Sequence, residues 1–85
     1  MISLSGPDLA RAGEKICITA NGVGTGFVAV VKSGRKTLSV DVKIDPKTHS
    51  AEICFTIPLD SKGVSVAVKN TNQNRNTKTS VLVAP

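Results

Sequence analysis

Two seven-residue stretches with an unbroken two-residue period constrain this chain more than any other feature. Leu38-Ser39-Val40-Asp41-Val42-Lys43-Ile44 alternates apolar and polar side chains, and Ala51-Glu52-Ile53-Cys54-Phe55-Thr56-Ile57 puts Ala51, Ile53, Phe55 and Ile57 on one face. A helix would scatter those side chains around its axis, whereas an extended strand gathers them on one side. The intervening Asp45-Pro46-Lys47-Thr48-His49-Ser50 has turn chemistry. The expectation is a β-hairpin that buries Leu38, Val40, Val42 and Ile44 from one arm and Ile53, Phe55 and Ile57 from the other.

The remaining segments read as further strands. Ile2 and Leu4 alternate with polar neighbours until Gly6-Pro7 stops them, and Asp8 to Ala12 fits one helical turn with Leu9 tucked inward. Lys15 to Ala20 resumes strict alternation with Ile16, Ile18 and Ala20 on one side. The glycines at 22, 24 and 26 form a loop that opens an apolar strand, Phe27 to Val31, and not the helix a phosphate loop requires. That continuous apolar run implies either that both its faces are covered or that one face awaits a partner. After the turn Pro58 to Gly63, Val64 to Lys69 points three valines inward. The polar run Asn70 to Asn76 follows, and Thr77 to Ala84 closes the fold with Val81 and Val83 inward and Leu82 outward. Seven short strands separated by turns predict an all-β domain spanning residues 1–85, a seven-stranded antiparallel β-sandwich, with a barrel as runner-up.

Composition narrows the function classes. Two phenylalanines are the only aromatic residues of 85, too few for platforms that stack rings on bases or sugars. Eleven basic against six acidic residues give a net charge of +5, which favours an anionic partner and also keeps a small domain soluble. The only dense basic group is Lys32, Arg35 and Lys36. Residues 1–6 carry neither a charged leader nor an apolar run, so the reading contains no secretion signal and no membrane span.

Lys62-Gly63-Val64-Ser65-Val66-Ala67-Val68-Lys69-Asn70, followed by Ser80-Val81-Leu82-Val83, is similar to the last two strands of bacterial, viral and filamin-like immunoglobulin-related domains. The resemblance covers the chain at the level of strand count and implies an Ig-like sandwich. The core Trp and the tyrosine corner of antibody-type domains are missing, because the chain contains no Trp and no Tyr. The family's first cysteine position is filled by Cys17, while Cys54 stands in the fifth strand and not the sixth. Strands two and five are neighbours in the implied order, so the two cysteines would face solvent side by side. Two readings stay open there: a pair of reduced thiols, or a cross-strand disulfide.

No catalytic, metal or cofactor constellation is expected. His49, the single histidine, stands five residues from Cys54, up to about 17 Å along an extended strand, and neither cysteine has a metal-type paired spacing. The leading expectation is a non-enzymatic interaction module, a subunit or accessory protein of a larger assembly. Phage capsid decoration proteins offer an analogy of architecture alone. It would dock a protein partner, or a second copy of itself, through Val28, Val30, Ala67 and Leu82. The alternative is an anion or nucleic-acid binder using Lys32, Arg35, Lys36, Arg75 and Lys78, which without aromatics would contact phosphates and hardly read bases.

Overall fold

The computed structural model describes residues 2–22, 26–70 and 75–85, and of Arg75 the backbone alone. Nine strands run through these residues: β1 (Ser3–Ser5), β2 (Leu9–Arg11), β3 (Lys15–Asn21), β4 (Phe27–Ser33), β5 (Lys36–Thr37), β6 (Asp41–Asp45), β7 (Ser50–Thr56), β8 (Gly63–Asn70) and β9 (Arg75–Ala84). They build a four-stranded sheet in the order β1-β3-β7-β6 and a five-stranded sheet in the order β2-β9-β8-β4-β5. Every pairing is antiparallel except that of β2 with β9. Among the described residues there is no helix, and none long and apolar enough to cross a membrane.

The hairpin forms within the two alternating stretches, but its first arm begins only at Asp41, and residues 38–40 stand outside any strand. β6 pairs with β7 from Asp41↔Cys54 to Asp45↔Ser50. The Asp45 carboxylate accepts from the Lys47 backbone N–H (3.0 Å), and His49, at φ 55°, offers its carbonyl to the Gly22 N–H (2.9 Å). The Asx-type bond closes the turn locally, and the second bond seats it against the end of β3.

Both sheets share one core. Ile18, Ile53, Ile57, Val31, Val66, Val68 and Val81 are the largest fully buried side chains, with Phe55 and Val64 beside them. At roughly 1.5–3 kcal/mol per large apolar side chain, such burial is the main force opposing chain entropy in so small a domain.

Three expectations are corrected. The strand count is nine and not seven, because two short segments pair that the sequence pattern assigns to a helical turn and to a loop. Residues 8–12 make no helical turn. Instead Leu9–Arg11 pairs in parallel with Leu82–Ala84, the Leu82 N–H donating to the Asp8 carbonyl (2.9 Å), so that Ala10 is buried and Leu9 is 59% exposed. Lys36–Thr37 becomes β5 because Gly34, at φ 61°, and Arg35 make a two-residue turn off β4.

The third correction concerns the inner face of β6. Val42 is 40% and Ile44 53% exposed, and every residue of β6 is exposed. The alternation is real, but β6 is the edge of its sheet, and the corresponding edge of the opposite sheet is the two-residue β5. Among the described residues no strand stands opposite to cover those side chains. Leu38 and Val40, which precede β6, remain partly buried against the core.

The chain passes from one sheet to the other at Gly6. A Cβ there would stand 2.7 Å from Ile18 Cδ1 and 3.1 Å from the Cys17 carbonyl oxygen. A side chain here would have to push Ile18 Cδ1 aside and crowd the β3 backbone, which glycine avoids.

Candidate functional site

The two outward faces differ in charge before any side-chain geometry is considered. The strands of the five-stranded sheet contain Arg11, Lys32, Lys36, Lys69, Arg75 and Lys78 and no carboxylate. Those of the four-stranded sheet contain Lys15 and Lys43 against Asp41, Asp45 and Glu52. The other three acids, Asp8, Glu14 and Asp60, lie in connections between strands.

Register gives the layout of the five-stranded face. Val31, Val66, Val68 and Val81 point into the core, so their alternate neighbours point out. Val30 is opposite Ala67, which is opposite Lys78; Val28 is opposite Lys69, which is opposite Asn76; Lys32 is opposite Ser65, which is opposite Ser80. Leu82, opposite Gly63 and Leu9, ends the face on the other side. Val28 (49%), Val30 (37%) and Leu82 (66%) are exposed, Ala67 is half-buried, and Lys32, Lys69 and Lys78 are exposed. Apolar and basic positions therefore interleave across three strands.

This arrangement brings together residues that look unrelated in the sequence. Lys32 and Lys78, expected as anion contacts, share the face of the apolar set Val28, Val30, Ala67 and Leu82. Arg35 and Lys36 sit at the end of this sheet on the β4–β5 hairpin, where Ser33, Lys36, Asp60, Ser61 and Lys62 line an open depression that mixes both signs of charge. The Arg75 side chain lies outside the described residues. Lys69 and Leu9 belong to the same face and escape the sequence reading. Lys69 looks there like the polar end of a strand, and Leu9 looks like a core residue of a helical turn. The parity of β8, with Val64, Val66 and Val68 inward, is the signal that places Lys69 outward beside Ala67.

On the four-stranded face, β3 and β7 pair over seven residues with Cys17 opposite Cys54, and the two are joined by a disulfide. Their Cα atoms are 4.0 Å apart, closer to the ~4.5 Å of a non-hydrogen-bonded antiparallel pair than to the ~5.5 Å of a hydrogen-bonded one. The bridge lies within one sheet, on its outer side, but the cysteines do not face solvent as expected: Cys17 is half-buried and Cys54 buried. A Glu52 carboxylate oxygen stands 3.3 Å from Cys54 Sγ. A disulfide sulfur has no proton to donate, so this is a contact and not a hydrogen bond. His49 lies beyond the last rung of this ladder, Asn21↔Ser50, five residues from the level of the cysteines, which is about 17 Å at 3.4 Å per residue.

Compared with known proteins, the chain matches no family model and no curated relative.

Proposed function

We propose that this chain is a non-enzymatic Ig-like interaction module that docks a protein partner through the outward face of β4, β8 and β9, and that the partner surface is acidic with apolar contacts. The strand orders β1-β3-β7-β6 and β2-β9-β8-β4-β5 support the Ig-like reading, since they set strands one, two, five and four of the sandwich against its third, sixth and seventh. In that correspondence β2 and β5 are short additions at the two edges of the second sheet.

One observation carries the docking proposal. A face that exposes Val28, Val30 and Leu82 among Lys32, Lys69 and Lys78, on a sheet without carboxylates, is both apolar and of a single charge sign. Monomers seldom leave such a surface bare. The lysines steer an anionic surface into place, and their alkyl stems extend the apolar contact area. A phosphate backbone would satisfy the lysines and leave the valines and Leu82 in water, so the apolar half of the face favours a protein.

Photo-crosslinking in extracts of the source cells tests this. A crosslinkable residue at Ala67 should give a discrete adduct that disappears when Lys32, Lys69 and Lys78 are all replaced by Glu. The same probe at Thr56, on the other sheet, should give none. Equal adducts from both positions, adducts indifferent to the charge reversal, or no adduct from Ala67 would overturn the assignment.

A further inference from the structure

The closed disulfide has a carboxylate beside it on the same face of the sheet. Cys17, Cys54 and Glu52 present their sulfur and carboxylate atoms within 4.8 Å of one another. They lie in an open concavity of about 560 Å³ that Lys15, Asp41 and Lys43 also line. Thirty-seven residues separate the cysteines, so no sequence spacing announces the set. The pairing of β3 with β7 makes it, and alternation along β7 puts Glu52 and Cys54 on the same side.

We propose that reduction converts this disulfide into a site for a thiophilic divalent cation, Zn²⁺ by its ligand chemistry, held by Cys17 Sγ, Cys54 Sγ and a Glu52 carboxylate oxygen. Two thiolates and one carboxylate form a three-ligand set, and a water completes the tetrahedron. With Zn–S ~2.3 Å and Zn–O ~2.1 Å, tetrahedral angles place a sulfur and an oxygen ligand about 3.6 Å apart and two sulfurs about 3.8 Å apart. The Glu52 oxygen already stands 3.3 Å from Cys54 Sγ. The sulfurs must separate, and Cys17 Sγ and the Glu52 oxygen, within 4.8 Å of each other, must settle at about 3.6 Å, by side-chain rotation on strands that remain paired.

The chemistry balances with a dithiol as reductant. Thiolate attack on one sulfur forms a mixed disulfide, and the second thiol of the reductant resolves it. Two electrons and two protons reach the protein, the S–S bond breaks, and the reductant leaves as a cyclic disulfide. Binding of the cation then displaces the two thiol protons to solvent. An oxidised dithiol reverses the cycle by taking back two electrons as the S–S bond re-forms and the ion leaves. The bridge and the ion are mutually exclusive occupants of one place, so the cation protects the thiols from re-oxidation.

Co²⁺ is the probe, added to the whole chain after reduction with a water-soluble phosphine and followed by absorbance and far-ultraviolet circular dichroism. The expected result is one Co²⁺ per chain, with a thiolate charge-transfer band, the visible bands of a tetrahedral ion, and displacement by Zn²⁺. The oxidised chain should show none of these. Loss of an outer-shell partner alone weakens metal sites 10- to 100-fold, so Glu52→Gln, which removes a direct ligand, should weaken Co²⁺ binding at least about tenfold. Asp8→Asn, nine residues from Cys17 in the connection between β1 and β2, should leave affinity unchanged. Absence of the charge-transfer band, one ion shared between two chains, or a Glu52→Gln affinity equal to wild type overturns the proposal. So does loss of the β-sheet dichroism on reduction, because the ligand set exists only across paired strands.

Discussion

The two sheets share one core but present opposite outer surfaces. The four-stranded sheet mixes its charges, Lys15 and Lys43 against Asp41, Asp45 and Glu52, and fastens its two central strands with the Cys17–Cys54 bridge. The five-stranded sheet has no bridge and no acid, and leaves Val28, Val30 and Leu82 in solvent. One surface behaves as a wall, mixed in sign and covalently tied. The other has the composition of a contact surface. The difference teaches that burial and function divide along the sheets and not along the chain, since each sheet draws strands from both halves of the sequence.

Removing the tie from the wall has the largest expected effect. Replacing both Cys17 and Cys54 by Ser opens a loop of 37 residues, and the chain-entropy model gives a loss of about 4 kcal/mol, measurable by urea denaturation under oxidising conditions. A loss below about 1 kcal/mol would break the contrast between a tied and an untied sheet. Within the four-stranded sheet, Ile53→Ala at a fully buried position should cost about 2–5 kcal/mol. Ile44→Ala on the uncovered edge strand, where the side chain is 53% exposed, should cost under about 1 kcal/mol. Comparable losses at the two sites would mean that β6 is covered in solution. Gly6→Ala should cost roughly 1–3 kcal/mol by overpacking against Ile18, also read by denaturation.

The smallest stability effect should be the most informative for function. Leu82→Asp, on the face proposed for docking, should change stability by no more than about 0.5 kcal/mol because its side chain is 66% exposed. Light scattering then distinguishes the partner class: self-association of the wild type that the variant abolishes identifies a second copy as the partner. Association indifferent to the charge would place the interface elsewhere.

The parts legible in the sequence are those set by local periodicity. β3, β7 and β8 alternate strictly, and their inward residues are the core. β2 and β5 were not legible because neither has a pattern of its own. β2 exists through pairing with β9 at the far end of the chain, and β5 through a turn. The exposure of Val42 and Ile44 had the opposite cause. Alternation tells which way a side chain points and says nothing about what stands opposite. The face proposed for docking was half legible: the apolar run from Phe27 to Val31 exposed its outward valines, but their union with Lys69 and Lys78 needed the register of three strands.

The parallel pairing of β2 with β9 has a mechanical consequence. Tension applied between the chain before Leu9 and the chain after Ala84 would pull two parallel neighbours along their length in opposite directions. The hydrogen bonds joining them would then carry load together in shear, where a hairpin pulled from its open end would release its bonds one at a time. A domain tethered from its partners at both ends would resist extension best along this seam.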